Sequence, residues 1–197
     1  MNEADPSGRF QPAEVRRRQI LDALARLAIS EGLDNVTIAR VASEAGIAKG
    51  SIYLHYQSRA ELIAALQADI WERMLTQPSV VAAEHTSTWT HRLDRILEHW
   101  IDFEFDHHDL YHAVFHVAGS GGPEPMEQAR LLLRSVLDGG TEAGEFDVAD
   151  IDTTTEFLLH AYGGPCYHST DRTRVIETLR TLFHRTVGAS AELPADR

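Results

Sequence analysis

The fold of this chain is decided by residues 37–62, which read TIARVASEAGIAKGSIYLHYQSRAEL. Thr37 predicts a helix start, because its hydroxyl can accept a hydrogen bond from a backbone N–H of the next turn. Gly46 predicts the end of that helix, since glycine adopts the positive φ of a sharp turn at little steric cost. We expect a second short helix over about residues 48–56 and a third that begins at Ser58, a good helix cap.

The spacing within this stretch is typical of two helices that cross steeply over a short turn. Such a pair requires a small residue where the backbones approach, and Ala42 supplies it. The predicted core contacts come from Val41, Ala45, Ile47 and Ile52. The outer face of the second helix presents hydrogen-bond donors of the kind that bind phosphates and base edges, namely Lys49, Ser51, Tyr53 and His55. The pattern therefore predicts a helix-turn-helix that binds DNA.

The distribution of charge supports this interpretation, although the net charge of −12 at pH 7 at first opposes it. Residues 1–60 carry eight basic and seven acidic side chains, whereas residues 61–197 carry ten and 23. The acidic excess thus lies outside the predicted helix-turn-helix. Lys49 is the only lysine of the chain, and it falls in the first turn of the helix expected to enter the DNA groove.

Helical periodicity continues through the rest of the chain, and no strand pattern competes with it. The first predicted helix starts near Ala13 and ends at Gly32, with an apolar stripe of Ile20, Leu24, Leu27 and Ala28. The later helices are expected over about residues 89–105, 110–117, 126–137 (closed by Gly139 and Gly140), 153–168 (interrupted at residues 163–165) and 172–187. The fold class is all-α, with about nine helices in total.

The predicted organisation has four parts. They are a disordered arm over residues 1–11, the helix-turn-helix domain over 12–57, a larger helical domain over 58–190 and a disordered tail over 191–197. The single cysteine excludes an intrachain disulfide and suits a reducing compartment. Since no apolar run approaches membrane-spanning length, we expect a soluble, cytoplasmic protein without a membrane partner.

Residues 37–62 resemble the DNA-binding signature of the TetR family of repressors. The shared features are a threonine that opens the helix before the turn, Ala-Gly at the turn, Lys-Gly-Ser followed by an apolar residue and Tyr, and a later Ser-Arg-x-x-Leu. The resemblance implies a sequence-specific transcriptional regulator, a homodimeric repressor released from a palindromic operator on double-stranded DNA by a small-molecule effector. It implies neither catalytic residues nor a cofactor.

The resemblance also assigns roles to individual residues. Those it places at the DNA are Thr37, Lys49, Gly50, Ser51, Tyr53, His55, Tyr56 and Arg59. Thr37 and Arg59 would bind backbone phosphates, and Tyr56 fits the core of the motif as well as a contact. Ala48 departs from the pattern, where a serine commonly caps the helix, and this should weaken the cap by roughly 1 kcal/mol.

The larger domain is rich in aromatic side chains that can wall a ligand cavity between helices. The candidate pocket residues are Trp89, Trp100, Phe103, Tyr111, Phe115 and Tyr162, although each alone also fits an ordinary core. The helix over residues 172–187 has a continuous apolar face that needs a cover. The resemblance implies that a second subunit provides it.

A metal site is the competing interpretation of this domain. His108, His112 and His116 are spaced at i, i+4 and i+8, so that they share one face of a regular helix and can chelate a divalent cation. This pattern fits a metal-sensing repressor or, with the Asp-His-His-Asp run over residues 106–109, a metal-dependent enzyme. The further aspartate motifs of such enzymes are missing, which argues against the enzyme. Over a metal sensor we favour histidines that line a helix surface or satisfy one another within a polar pocket, with no bound metal.

Overall fold

The computed structural model of the protein describes residues 12–116 and 123–189. For residues 116 and 123–125 it describes the backbone but not the side chains. All regular structure in these ranges is helical, which confirms the all-α prediction. The α-helices are α1 (Ala13–Glu31), α2 (Ile38–Glu44), α3 (Lys49–Tyr53), α4 (Arg59–Ala82), α5 (Trp89–Tyr111), α6 (Pro123–Glu142), α7 (Ile151–Ala161), α8 (Gly163–His168) and α9 (Arg172–Val187). A 3₁₀ turn covers Leu33–Asn35 and a π turn covers His112–His116. None of the described helices combines the length and apolarity needed to cross a lipid bilayer.

The internal contacts divide the chain into two units. The first extends to Gln67 and includes the segment that begins at His112, and the second comprises the chain from Ala68 to Tyr111 and the remainder. The division falls within α4, whereas the sequence placed a domain boundary at residues 57 and 58. The predicted arm and tail lie outside the described residues, and the predicted domain bounds stay predictions.

The core of the first unit is built on α1. Its predicted apolar stripe is buried throughout, and Gly32 ends the helix with φ of 77° as predicted. At the start of α4, the backbone N–H of Glu61 donates to Ser58 Oγ at 3.1 Å. Glu61 Oε2 in turn accepts from the N–H of Gln57 at 2.6 Å. These reciprocal bonds satisfy the free N–H groups that begin α4.

Helix α5 is the central element of the second unit, where it contacts α6, α8 and α9. It runs on to Tyr111 instead of ending near Phe105 as predicted. The predicted separation does appear as a kink, because His107 has non-helical angles (φ −128°, ψ 15°). The separate helix predicted over residues 110–117 differs in its described part, since α5 includes residues 110 and 111 and the π turn covers His112–His116. Residue 117 lies outside the described residues.

Helix α6 corrects a second expectation. The sequence placed its end at Gly139 and Gly140, but the helix continues through both to Glu142. A Cβ at Gly139 would lie 2.2 Å from the Trp89 ring, and a Cβ at Gly140 would lie 2.1 Å from the Phe146 ring. These glycines therefore admit two aromatic rings against the helix backbone, and the positive φ that ends the segment is at Gly144.

The break between α7 and α8 lies at Tyr162, just before the predicted interruption at residues 163–165. Pro165 stands in the first turn of α8. A backbone N–H in the first turn would have no acceptor within the helix, so proline, which lacks the N–H, is tolerated there. Asp150 caps α7 by accepting from the N–H of Thr153 at 3.0 Å.

Most of the apolar face of α9 is covered by the chain itself. Val175, Leu179, Phe183 and Val187 are buried, and α9 contacts α5, α7 and α8 of its own unit. Part of the face predicted to contact a second subunit is therefore covered within the chain, and its pairing with a second subunit stays a prediction. A polar contact supports the pairing with α5, where His184 Nε2 lies 2.7 Å from Asp94 Oδ1. Leu182 remains 49% exposed on α9.

Replacement of Gly140 by alanine should destabilise the second unit. The new Cβ collides with the Phe146 ring, and overpacking of this kind costs about 1–3 kcal/mol, more than the helix propensity gained. Gly164→Ala is the matched control, because a Cβ there meets no atom within 4 Å. Urea unfolding of both variants measures the effect, and equal stability of the two would contradict the packing role of Gly140.

Candidate DNA-binding surface

The two short helices of the first unit have the predicted start and turn. Thr37 adopts an extended conformation, and its Oγ1 accepts from the N–H of Arg40 at 3.2 Å. Gly46 has φ of 65°, and the N–H of Ile47 donates to the carbonyl of Ala42 at 2.9 Å. The left-handed glycine thus redirects the chain at once after α2, so that α3 begins only two residues after Ile47.

Helix α3 is shorter than predicted, since it covers Lys49–Tyr53 alone. Ala48 occupies the cap position without a side-chain bond, as the sequence indicated. The fully buried Ile52 anchors the helix to the core of the unit. Tyr56 is also buried, with 3% of its surface exposed and its ring 5.9 Å from the Arg17 guanidinium. This burial favours the core role for Tyr56 over a contact with DNA.

The opposite side of α3 is open to solvent. Lys49 and Gly50 are exposed, Tyr53 is 48% exposed, and Ser51 and His55 are half-buried. A Cβ at Gly50 would meet no atom within 4 Å, so the chain's own packing does not require glycine there. The sequence analysis missed Leu54, which is 82% exposed directly after α3. An exposed apolar side chain beside donors is suited to contact a thymine methyl group.

An open depression of about 530 Å³ joins α3 to the start of α2. Its lining residues are Asp34, Val36, Thr37, Ile38, Ala39, Lys49, Tyr53 and Arg59. The depression therefore brings together four of the predicted DNA contacts, Thr37, Lys49, Tyr53 and Arg59. Gly50, Ser51, His55 and Tyr56 are not part of its lining.

Arg59 has a structural task that the sequence did not reveal. Its Nε donates to the carbonyl of Val36 at 2.8 Å, and its terminal nitrogen donates to the carbonyl of Leu33. These bonds tie the start of α4 to the segment that leads into α2. The side chain thereby positions the chain around Thr37, in addition to lining the depression.

Three arginines of the first unit form ion pairs with carboxylates. Arg26 binds Glu44 at 2.7 Å, and Arg40 binds Glu31. Arg18 binds Asp22 at 2.9 Å. Within residues 12–116 and 123–189, Lys49 forms no ion pair. Its charge is thus available to an external anion.

The predicted ligand-pocket residues are only partly brought together. Trp100 and Tyr162 pack with ring centroids 5.4 Å apart, and both are buried. Tyr111 lies edge-on to Trp71 at 6.2 Å. Trp89 is instead held between Gly139 and the guanidinium of Arg92, which lies 3.9 Å from its ring centroid, a packing role at the start of α5.

Phe103 and Phe115 complete the set of predicted pocket residues. Phe103 is buried and packs against the His107 ring at 4.6 Å. Phe115 belongs to the π turn, which is part of the first unit and contacts α1. The ligand pocket stays a prediction, and Trp100 and Tyr162 are a pair of its residues in direct ring contact.

The sequence analysis missed Glu104, a carboxylate at the centre of these aromatics. It is 3% exposed, and burial raises its pKa to about 7. Burial, followed by the charge of Glu104, raises the pKa of Tyr111 to about 12 and that of Cys166 to about 11. A signal existed in the sequence, since Glu104 stands between two phenylalanines and one helical turn after Trp100.

The histidine face expected for a metal assumed a regular helix, which the chain does not form. The kink at His107 and the π turn from His112 change the register of His108, His112 and His116. The His108 ring instead lies edge-on to Tyr167 at 4.8 Å. Among the described residues no three His, Cys, Asp or Glu side chains are arranged to hold a metal ion, and the side chain of His116 lies outside that description.

The family comparison coincides with the helix-turn-helix. Residues 20–66 match the family model described as bacterial regulatory proteins, tetR family. These residues include the later part of α1, all of α2, the Gly46 turn, α3 and the start of α4. The resemblance to the TetR family that the motif indicated is thereby confirmed.

Curated relatives match the same end of the chain. The nucleoid occlusion factor SlmA of Pasteurella multocida is 31% identical over 91 residues, which are 45% of this chain and 44% of that protein. The HTH-type transcriptional regulator TtgR of Pseudomonas putida is 36% identical over 62 residues, 32% of this chain and 30% of that protein. The chain thus spans less than half the length of these relatives.

Solved structures match the fold over nearly the whole chain. SmeT, the repressor of the Stenotrophomonas maltophilia multidrug efflux pump SmeDEF, has a TM-score of 0.75 at 15% identity, covering 91% of this chain and 94% of that one. A TetR-like transcriptional regulator from Rhodococcus sp. RHA1 has a TM-score of 0.72 at 20% identity, covering 91% of this chain and 100% of that one. At these identities the likeness shows the fold.

Replacement of Arg59 by alanine should destabilise the first unit by about 2 kcal/mol, because two backbone carbonyls lose a charged donor. Thermal or urea unfolding measures this loss. Lys49→Ala is the control, since Lys49 is another cation that lines the same depression. Among the described residues, its removal breaks no hydrogen bond like those of Arg59 with the backbone carbonyls before α2. If both variants were as stable as the wild type, the positioning role of Arg59 would be refuted.

Proposed function

We propose that the chain is a DNA-binding transcriptional regulator that acts as a repressor in the cytoplasm, with no catalytic role. The observation that carries this proposal is the exposed head of α3, where an ion-pair-free Lys49 stands beside the open depression. A DNA phosphate is the anion that fits such a cation at the edge of a helix-turn-helix. The tetR-family match over residues 20–66 supports the same conclusion.

The exposed side chains suit both parts of DNA recognition. Thr37 and Lys49 would bind phosphates and set the register of α3 in the major groove. Ser51, Tyr53 and His55 would reach base edges or neighbouring phosphates. Leu54 adds an apolar group for a thymine methyl.

A homodimer on a palindromic operator is the assembly we propose. Phe157 on α7 is 57% exposed, and Leu182 on α9 is 49% exposed, so each helix offers a large apolar side chain to a partner. Two such helices from each of two copies would form a four-helix interface. The two recognition helices would then read half-sites about 34 Å apart, or somewhat further.

The second unit is proposed to bind a small-molecule effector that releases the operator. An effector can do so only if it binds one conformation of the dimer more tightly than the other. Repression is proposed by analogy with SmeT, which is a repressor. The aromatic surroundings of Trp100 and Tyr162 are the proposed effector site.

A gel-shift titration tests the proposal with the DNA that lies upstream of the chain's own gene. Specific binding should weaken by orders of magnitude between about 50 and 200 mM salt, because counterions are released from each neutralised phosphate. A scrambled fragment of equal length is the control. Absence of binding, or binding independent of sequence and salt, would overturn the proposal.

Lys49→Ala should reduce operator affinity about tenfold and lower the slope of log affinity against log salt by about one. The loss of a single phosphate contact is the physical reason. Arg174→Ala is the matched control, because it removes the same charge from an exposed position on α9. Equal operator affinity of Lys49→Ala and wild type would remove Lys49 from the interface.

Gly50→Ala should separate stability from DNA binding. The Cβ meets nothing in the protein, and alanine favours a helix over glycine by up to about 1 kcal/mol, so stability should stay equal or rise. Operator affinity should fall several-fold, because the added methyl group obstructs the approach of α3 to the DNA backbone. Parallel gel shifts and urea unfolding measure the two effects. Full operator affinity would show that the DNA does not approach Gly50.

A further inference from the structure

The carboxylate of Glu104 has no charge partner in the part of the chain that the structure describes. Its side chain is 3% exposed, and its Oε2 accepts no hydrogen bond from any described residue. Burial of a carboxylate without a partner is costly, so proteins keep one mainly where it serves a function. Glu104 therefore requires an explanation beyond packing.

Neighbouring acids on α5 show what an ordinary carboxylate does in this unit. Asp102 and Asp106 both pair with Arg172, the former at 3.3 Å. These pairs lie at the surface, with side chains about half exposed. Arg172 thus neutralises the exposed acids. No cation of the described residues pairs with the buried Glu104.

The surroundings of Glu104 are aromatic and uncharged. Its charge contributes to the raised pKa of four side chains, which come from α5, α8 and the residue that joins α7 to α8, namely Tyr162, Tyr111, Tyr167 and Cys166. Trp100 stands one turn earlier on α5 and packs on Tyr162. Aromatic faces around a carboxylate attract organic cations through their negative quadrupoles. Tyr167 is 37% exposed and so connects this cluster with the surface.

A second polar group without a hydrogen-bond partner among the described residues lies on the same side of α5. The indole Nε1 of Trp100 is buried and donates to no described residue. Residues four apart share a helix face, so this donor and the Glu104 acceptor lie one turn apart. A ligand that fills both positions carries a positive charge or charged donor near Glu104 and a hydrogen-bond acceptor near Trp100.

We propose that Glu104 is the charge-recognising residue of the effector site, and that the effector is an organic cation with an aromatic body and a hydrogen-bond acceptor. The inference rests on the proposed effector-responsive function. Trp100 and Tyr162 stack on the body of the cation, Glu104 compensates its charge, and the Trp100 indole binds its acceptor.

The test uses two xanthene dyes of similar ring skeleton and opposite charge, the cation rhodamine 6G and the anion fluorescein. Each is titrated into the full-length protein without DNA, and fluorescence anisotropy reports binding. We expect rhodamine 6G to bind at least about tenfold more tightly than fluorescein, a preference set by one buried charge. Equal affinity, or a preference for fluorescein, would overturn the proposal.

The variant Glu104→Gln keeps the size of the side chain and removes its charge. It should lose about tenfold or more of the rhodamine 6G affinity, whereas its weak fluorescein binding should not fall. Asp109→Asn is the matched control, since it removes an exposed charge from the same helix. Trp100→Phe provides an independent variant that keeps a stacking ring but removes the indole N–H, and it should weaken rhodamine 6G binding several-fold.

The outcomes separate this inference from the proposed function. If Glu104→Gln bound rhodamine 6G like wild type, the cation site would be refuted while operator binding stood. If the wild type bound rhodamine 6G as expected but no operator, the DNA-binding proposal would fail alone. A Glu104→Gln variant that does not fold leaves the decision to the dye preference of the wild type and to Trp100→Phe.

Discussion

The left-handed turn at Gly46 is the constraint on which the first unit depends. It ends α2 within one residue and allows the Ile47 N–H to bond back to the carbonyl of Ala42. Because the reversal is so short, Ile52 enters the core and the opposite side of α3 stays in solvent. Arg59 holds the other end of this arrangement by binding the carbonyls before α2. The recognition surface is thus a consequence of backbone geometry on one side and a charged clamp on the other.

The second unit depends on close contacts around α5. Its first turn is held by Glu145, whose carboxylate oxygens accept from the backbone N–H groups of Trp89 and Thr90 at 3.1 and 3.0 Å. Gly139 admits the Trp89 ring to the α6 backbone beside this contact. Further along, the same helix turns Glu104 and Trp100 into an aromatic cluster. One helix therefore joins the packing of the unit to its candidate effector site.

Arginines pair with carboxylates in both units, and among the described residues Lys49 stays outside such pairs. In the second unit many acids form ion pairs with arginines of another helix. Arg134 and Arg130 of α6, for example, bind Asp152 and Glu156 of α7. Such pairs add little stability each at the surface, but they leave few cations for an external anion. In the first unit Lys49 keeps its charge available. Overall acidity and DNA binding are compatible because electrostatic attraction is governed by the local field at the recognition helix.

The sequence by itself determined the helix-turn-helix and the all-α class. Caps, positive-φ glycines and helical periodicity act over a few residues, so Thr37, Gly32 and Gly46 could be read directly. Only the tertiary structure decided the tasks of Arg59, Gly139, Gly140 and Glu104, and the burial of most of the α9 face within its own chain. Their partners lie far away in the sequence, as Arg59 binds a carbonyl 23 residues before it. Residue type and spacing do not reveal such partners. The sequence does not distinguish a buried carboxylate from a surface one, or a glycine that admits a neighbouring ring from one that ends a helix.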